Sequence, residues 1–223
     1  MAHRVRAVIF DQDGLMFDTE RLSVKAWSEV GSRYGVSVGD DFFDAMRGTK
    51  PEVVRRMLKK MYGESFDCDR FLEEKRAYSY EQIAKEGVPV KKGLKELLTY
   101  LKAHGVKTAV ATSSSSRWTE QNTRGAGVDQ MFDAYAFGEM VKRPKPDPEI
   151  FHLAADMLGE KPEECIVLED SFNGINAALN GGFLAVMVPD LSIPGPELVE
   201  RLTAKCDSLL DVIGLFEEGF FIC

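Results

Sequence analysis

Short apolar runs alternate with helical patterns along most of this chain, and that alternation constrains the fold more than any other feature. The runs are rich in Val, Ile, Phe and Ala, and they cover residues 6–10, 107–112, 134–137, 165–168 and 184–188. Helical spacing of apolar residues covers 93–104, 117–125, 148–158 and 171–180. Strands that alternate with helices form βαβ units, so we predict an α/β fold: a Rossmann-like parallel sheet with helices on both faces.

One interval breaks the alternation, because its signals are almost all helical. Helices are predicted over 20–34, 52–61 and 69–85, and Asp18-Thr19 is a predicted N-cap for the first of them. An insert of this length between the first strand and the rest of the sheet predicts a second lobe. We therefore predict a catalytic core from residues 1–16 and 89–223, and an all-helical cap domain from residues 17–88.

The bulk composition limits the partners and the compartment. A net charge of −8 over 223 residues argues against nucleic acid and against an anionic membrane surface. No apolar run is long enough to cross a bilayer, and the start of the chain lacks a signal-peptide pattern. The 4 cysteines are scattered and form no CxxC pair, which is typical of a reducing compartment. We expect a cytoplasmic protein that binds no nucleic acid and no membrane.

Polar side chains follow four of the predicted strands at the point where each strand ends or its loop begins. Asp11 and Asp13 follow the first strand, and a Thr112-Ser113-Ser114 run follows the second. Lys145 lies in a proline-rich loop, and Glu169-Asp170 follows a later strand. Parallel strands present their carboxyl ends on one edge of the sheet, so we expect these groups to converge. Together they supply carboxylates for a divalent ion, donors for anion oxygens, and a fixed cation.

With these four motifs in this order, and a helical insert after the first strand, the chain resembles the haloacid dehalogenase superfamily of phosphohydrolases. The resemblance covers nearly the whole chain. It is closest to the helical-cap branch, which includes β-phosphoglucomutase and many sugar-phosphate phosphatases. The resemblance implies a Mg²⁺-dependent phosphatase that acts on a small phosphorylated metabolite, such as a sugar phosphate, through an aspartyl-phosphate intermediate.

The resemblance also assigns roles to the core residues. Asp11 matches the nucleophile, and Asp13 matches the general acid and base that serves the leaving oxygen and then the water. Thr112 matches the hydroxyl that binds the transferring phosphoryl group, and Lys145 matches the lysine that balances its charge. The implied metal ligands are the carboxylates of Asp11 and Asp170 together with Asp13, which meets the ion through its backbone carbonyl.

Other residues are assigned supporting roles by the same resemblance. Ser113 and Ser114 are expected to add a hydroxyl or an N–H group to phosphoryl binding. Glu169 is expected to act as an outer-shell or occasional direct metal ligand. Apart from the resemblance, Arg47 and Lys50 of the cap flank a glycine turn and are candidate substrate-binding residues, the alternative being a solvated face. Asp147 and the segment 171–173 are candidate supports for these groups.

Two positions bear on the choice between a phosphatase and the alternative, a β-phosphoglucomutase-like hexose phosphomutase. Ser23 and Pro51 stand where the mutase has a cap histidine and a cap arginine, which weakens the mutase alternative, although Arg47 or Lys50 could replace the arginine. A dehalogenase is disfavoured because Asp13 is present, and a non-catalytic phosphate sensor because every catalytic position is filled. The oligomeric state stays open, with a monomer slightly favoured.

Overall fold

The protein, described here by a computed structural model over residues 2–46 and 51–223, is built around one parallel sheet. The strands are β1 (His3–Arg4), β2 (Ala7–Phe10), β3 (Lys107–Thr112), β4 (Ala134–Phe137), β5 (Cys165–Glu169), β6 (Leu184–Met187), β7 (Ala204–Lys205) and β8 (Phe221–Ile222). Six of them form the sheet in the order β4-β3-β2-β5-β6-β7, and every neighbouring pair is parallel. β1 and β8 form a separate parallel pair.

The central strand β2 shows why these apolar runs form strands. All four of its residues are buried, as expected for a strand that is covered on both faces. Successive side chains point to opposite faces, so Val8 and Phe10 join one hydrophobic cluster while Ala7 and Ile9 join another. The sheet therefore separates two apolar cores.

Helices cover both faces of this sheet, which confirms the predicted fold class. They are α5 (Leu94–Ala103), α6 (Ser116–Ala126), α7 (Glu149–Leu158), α8 (Phe172–Asn180), α9 (Pro196–Val199) and α10 (Leu209–Glu217). Buried side chains of α5, α6 and α10 pack on the Phe10 face. Buried side chains of α7 and α8 pack on the Ile9 face. We call this sheet with its flanking helices the core.

The segment between β2 and α5 is helical, as predicted. Its helices are α1 (Thr19–Tyr34), α2 (Asp40–Met46), α3 (Pro51–Tyr62) and α4 (Cys68–Glu86). They share a hydrophobic cluster of their own, in which the Trp27 ring lies 5.0 Å from both Phe42 and Phe71. We call these four helices the cap. The exact division at residues 16/17 and 88/89 stays a prediction.

Most element boundaries fall within a residue of the predicted ones, and the differences are local. The prediction for 6–10 was wrong at Arg6, and that for 184–188 was wrong at Val188, since both lie outside their strands. β5 extends one residue further than predicted, to Glu169. The short elements α2, α9, β1, β7 and β8 were not predicted, because two residues show no strand alternation and α2 and α9 are shorter than two turns of helix.

The predicted N-cap of α1 has the right position, but the expected side-chain hydrogen bond is not formed. Asp18 stands at the N-cap position, but its side chain makes no capping hydrogen bond. It forms an ion pair with Arg21 at 2.7 Å instead. Thr19 is the first helical residue, and its hydroxyl is used elsewhere, as described below.

The two chain segments that join cap and core run side by side. The Asp18 N–H donates to the Pro89 carbonyl at 2.8 Å, and the Lys91 N–H donates to the Met16 carbonyl at 2.9 Å. One buried carboxylate oxygen of Asp190 also pairs with Arg21 of α1 and with Lys91, at 2.7 and 2.9 Å. Both junctions are therefore tied to the core. Across the described residues, none of the helices combines the length and apolarity needed to cross a bilayer.

Candidate active site

A cavity of about 790 Å³ lies between the carboxyl edge of the sheet and the cap. On the core side it is lined by residues that end or follow β2, β3 and β5, namely Asp11, Thr112 and Glu169. These strands are immediate neighbours in the sheet, with β2 in the middle. This is the edge where open parallel sheets bind ligands. The predicted convergence of the strand-end residues is therefore observed.

We call the core side of the cavity the core wall and its cap side the cap wall. Lys145 lies at the centre of the core wall and is 3% exposed. Its Nζ donates to Asp11 Oδ1 at 2.6 Å, to Glu169 Oε1 at 2.7 Å and to the Ala111 carbonyl at 3.2 Å. A buried ammonium group with three acceptors has no spare donor and a fixed position. The lysine thus links the ends of β2, β3 and β5.

Glu169 is held as firmly as the lysine. Beside the lysine contact on Oε1, its Oε2 accepts from the Asp170 N–H at 3.0 Å, the Ser171 N–H at 2.8 Å and the Ser171 hydroxyl at 2.9 Å. Gly174 makes room for it, because a Cβ there would lie 1.7 Å from Oε1. Glu169 is thus fixed in the site, and its role as an outer-shell or occasional direct metal ligand stays a prediction.

The buried carboxylates outnumber the cation beside them. Burial, opposed by the charge of Lys145, raises the pKa of Asp11 to about 8. Burial and the neighbouring charges of Glu169 and Asp11 raise the pKa of Asp170 well above its ordinary value. Burial lowers the pKa of Lys145, but its two carboxylate partners raise it by more, so the lysine stays charged. The site therefore favours further positive charge.

A divalent metal ion fits this donor set. Carboxylate oxygens of Asp11, Glu169 and Asp170, all three of them buried, lie within 4.8 Å of one another. All-oxygen donors of this kind suit a hard cation such as Mg²⁺. Gly14 lets Asp170 approach, since its φ is 93° and a Cβ there would lie 2.2 Å from Asp170 Oδ2. The cluster includes Glu169 in addition to the predicted Asp11 and Asp170.

The Asp13 carboxylate is bonded to other groups. Its Oδ1 accepts from the Thr19 hydroxyl at 2.6 Å and from the Trp118 indole N–H at 3.0 Å. Its Oδ2 accepts from the Ser114 hydroxyl at 2.6 Å and from the Gln12 amide at 3.3 Å. Donors from four places along the chain thus fix its orientation. A metal contact through the Asp13 backbone carbonyl stays a prediction.

The remaining predicted residues divide into several groups. Thr112 is 1% exposed and lines the cavity, and its oxygen accepts from the Ser114 N–H at 3.0 Å. Ser113 lines the cavity and is exposed. The hydroxyl of Ser114 supports Asp13, a contact that was not predicted. Arg47 and Lys50 lie outside the described residues, and their proposed roles stay predictions.

The predicted supporting residues also differ in their contacts. Asp147 accepts from the Glu149 N–H at 3.0 Å and pairs with Arg143 at 3.2 Å, so it organises the loop that carries Lys145. Ser171 supports Glu169 directly.

The cap wall of the cavity contains polar groups that the sequence did not reveal. Lys75 of α4 is partly buried, and its Nζ donates to the Ser23 hydroxyl at 3.1 Å and lies 5.4 Å from the centre of the Trp27 ring. Burial lowers the pKa of Lys75 to about 8. The buried indole nitrogen of Trp27 has no hydrogen-bond partner among the described residues. A charge run on a helix usually indicates a solvated face, so Lys75 gave no signal.

Comparison with known proteins agrees with this geometry. Residues 8–188 match the family described as haloacid dehalogenase-like hydrolase. The chain belongs to this family. Its relatives identify it as an enzyme, a phosphoric monoester hydrolase. The chain is 32% identical over 220 residues to a phosphorylated carbohydrates phosphatase of Thermotoga maritima, covering 96% of this chain and 92% of that protein.

Two further proteins are similar to nearly the whole chain. A probable pseudouridine-5'-phosphatase of Drosophila melanogaster is 30% identical, covering 98% of this chain and 94% of that protein. A crystal structure of CbbY from Rhodobacter sphaeroides in complex with xylulose-(1,5)bisphosphate superposes with a TM-score of 0.82 at 26% identity, covering 98% of this chain and 100% of that one. The similarity to both proteins thus extends over core and cap alike.

Proposed function

We propose that the protein is a Mg²⁺-dependent phosphatase that hydrolyses a small organic phosphomonoester, with a sugar phosphate as the favoured class, through an aspartyl-phosphate intermediate. One observation carries the proposal. The Asp11 carboxylate lies 2.6 Å from the Lys145 ammonium and belongs to the three-carboxylate cluster. The Asp13 carboxylate, two residues further along the chain, accepts hydrogen bonds from a different set of donors, which includes Thr19. Two carboxylates in such different surroundings suit two different chemical roles.

In the first step, an oxygen of Asp11 attacks the substrate phosphorus and the P–O bond to the leaving group breaks. Asp13 gives its proton to the departing oxygen, so that an alcohol leaves rather than an alkoxide. In the second step, Asp13 takes a proton from water while that water's oxygen attacks phosphorus and the bond to Asp11 breaks. Inorganic phosphate and the free Asp11 carboxylate result, and Asp13 is protonated for the next cycle.

Core residues bind and orient the phosphoryl group in this proposal. Lys145 balances the charge on Asp11 and on the phosphoryl oxygens. The Thr112 hydroxyl accepts from the Ser114 N–H, which leaves its own proton for a phosphoryl oxygen. Ser113, exposed to the cavity, adds a second donor. The oxygens of Asp11, Glu169 and Asp170 would hold the Mg²⁺ ion, which when bound neutralises charge that develops on the phosphoryl oxygens.

The alternative, a hexose phosphomutase, is not favoured. Ser23 of the cap accepts a hydrogen bond from Lys75, and a hydroxyl does not exchange protons near neutral pH as an imidazole does. The relatives from Thermotoga maritima and Drosophila melanogaster are phosphatases by name, and they are similar to nearly the whole chain. A mutase would return its phosphoryl group to sugar, whereas the proposed reaction transfers it to water.

The same proposal extends to partner and compartment. A cavity of about 790 Å³ suits a small phosphorylated metabolite. The described free cysteines include Cys68, Cys165 and Cys206, all of them buried thiols, which is compatible with a reducing cytoplasm. The net charge of −8 disfavours nucleic acid as a partner.

The experiment is a phosphate-release screen with Mg²⁺ over sugar phosphates, nucleotides and 4-nitrophenyl phosphate. We expect turnover of several sugar phosphates, loss of turnover when EDTA is added, and recovery when Mg²⁺ is restored in excess. The Asp11→Asn variant, prepared in parallel, controls for contaminating phosphatases. Absence of phosphate release from every compound in the panel would show that the proposed function is wrong.

A further inference from the structure

Two donors to Asp13 involve the cap, because Thr19 is the first residue of α1 and the core residue Trp118 contacts α4. The Trp118 indole N–H donates to Asp13 Oδ1 at 3.0 Å, and the edge-to-face partner of the same indole is the ring of Tyr80 on α4, 5.0 Å away at an interplanar angle of 89°. Asp13 and Trp118 belong to the core, whereas Tyr80 belongs to the cap. The indole therefore connects a carboxylate of the candidate active site to the cap across the cavity.

Local structure holds Trp118 ready for this contact. It lies in the first turn of α6, and its backbone N–H is directed at the hydroxyl of Ser115, the N-cap of that helix. Because the helix start is capped, the backbone under the indole is fixed. The ring is partly buried and lines the cavity, so its own position depends on what packs against it.

Tyr80 packs against two neighbouring side chains of α6. The Arg117 guanidinium lies 5.4 Å from the centre of the Tyr80 ring, and Trp118 presents an edge-to-face contact to the same ring. Both kinds of contact are favourable and directional. The contact of Tyr80 with α6 is separate from the chain junctions near Asp18 and Pro89. It therefore depends on the position of the cap relative to the core.

We propose that Trp118 is a positioning residue that orients the Asp13 carboxylate, and that Tyr80 of the cap holds the Trp118 indole in place by packing against it. This inference rests on the proposed function, in which Asp13 gives its proton to the leaving oxygen. The cap would then contribute to chemistry at the core without touching the phosphoryl group. Thr19, Ser114 and Gln12 also donate to the Asp13 carboxylate, and the contact of Tyr80 with Trp118 would secure the fourth donor.

The test compares two substrates of nearly equal shape, phenyl phosphate and 4-nitrophenyl phosphate. Phenol is the poorer leaving group and depends more on proton donation. We expect Trp118→Phe, which keeps a ring but removes the N–H, to lower kcat/KM about tenfold for phenyl phosphate and about threefold or less for 4-nitrophenyl phosphate. A purely structural role would lower both values by the same factor. Thermal melting of each variant checks that the fold is retained.

Tyr80 variants keep the inference testable if Trp118→Phe folds poorly. Tyr80→Leu removes the ring, and we expect it to lower kcat/KM for phenyl phosphate by about threefold, with less effect on 4-nitrophenyl phosphate. Tyr80→Phe keeps the ring and should keep the substrate ratio of the unaltered protein. Tyr100→Leu is the matched control, since this tyrosine packs on Phe216 outside the cavity lining and should leave the ratio unchanged.

The double variant decides whether the two residues act as one unit. If Tyr80 works through the indole N–H, then Trp118→Phe/Tyr80→Leu should have the same substrate ratio as Trp118→Phe alone. Independent effects on the ratio, or an unchanged ratio in Trp118→Phe, would overturn the inference even though the unaltered protein is an active phosphatase. An unaltered protein that hydrolyses neither compound nor any sugar phosphate would instead overturn the proposed function.

Discussion

The core wall and the cap wall of the cavity differ in how completely their polar groups are bonded. In the core wall, Lys145 has three acceptors and Glu169 has four donors. In the cap wall, the Lys75 ammonium donates to one hydroxyl, that of Ser23, and the buried Trp27 indole nitrogen has no partner among the described residues. Buried polar groups usually have hydrogen-bond partners. A polar group in a cavity that lacks some of its partners therefore indicates where a ligand can supply them.

This difference suggests a division of labour. A wall whose charged groups are held in place suits the part of the substrate that never changes, which in a phosphatase is the phosphoryl group. A wall with spare donors suits the part that varies from one substrate to another. Changes to the core groups that hold the phosphoryl group should therefore lower activity on all substrates alike, whereas changes to the cap wall should alter their rank order.

Asp11→Asn should have the largest effect. The amide is a poor nucleophile, so we expect turnover to fall below detection for every substrate in the panel. Phosphate-release assays over the panel give the measurement. Residual turnover that favours one class of substrate would contradict the prediction that core changes affect all substrates equally.

Asp13→Asn should be the next most severe. Loss of general acid and base catalysis is typically worth about 10²–10⁴-fold in rate. Mg²⁺ binding, followed by calorimetry, should be unchanged, because the Asp13 carboxylate lies outside the acidic cluster. Near-normal turnover of a substrate with a poor leaving group would refute the role given to Asp13.

Gly174→Ala should have an intermediate effect on all substrates. The added methyl group would overlap the Glu169 carboxylate and displace it from Lys145. We expect weaker Mg²⁺ binding and a loss of about tenfold in kcat/KM that is common to the panel. Gly214→Ala, also within a helix but with open space around the new methyl, is the control and should match the unaltered protein. If the two variants behave alike, the position of Glu169 is unimportant.

Lys75→Met should have the smallest effect on chemistry and the clearest effect on substrate preference. We expect KM to rise about tenfold for substrates with a second anionic group and to change less than about twofold for the others. Lys85→Met, at an exposed position of the same helix, should leave the order unchanged. A single common factor across the panel would show that Lys75 is not a selectivity residue.

Lys75 should also make the stability of the protein and its substrate preference depend on pH. Burial lowers the pKa of Lys75 from about 10.5 to about 8, so the folded protein binds its proton less tightly than the unfolded chain does. Its charge therefore costs stability near neutral pH, and that cost disappears as the pH rises from about 8 to about 10.5. Lys75→Met should raise Tm by several degrees at pH 7 and by nothing near pH 11. Preference for anionic substrates should weaken above about pH 8.

Sequence reasoning identified the core wall better than the cap wall, for physical reasons. β3 and β4 have the predicted bounds because they are short runs of mostly buried residues ended by turns. Lys145 was identifiable from its proline-rich loop, and the strand-end topology brings it to Asp11. Trp118 carried no signal, since a single aromatic residue on a helix is most often a packing residue. Its partner Asp13 comes from a distant part of the chain, and no local pattern encodes that contact.

The position of β2 in the sheet has a consequence for how the chain folds. β2 is synthesised first among the sheet strands, yet its neighbours begin at Lys107 and Cys165, so the cap must be made before either is available. Contacts so distant in sequence are slow to form, because the intervening loop loses entropy on closure. The cap has its own hydrophobic cluster, and its two ends meet where the Asp18 N–H bonds to the Pro89 carbonyl. A cap that folds early would thus shorten the effective loop between β2 and β3, and the lobe that selects the substrate would also speed the assembly of the sheet.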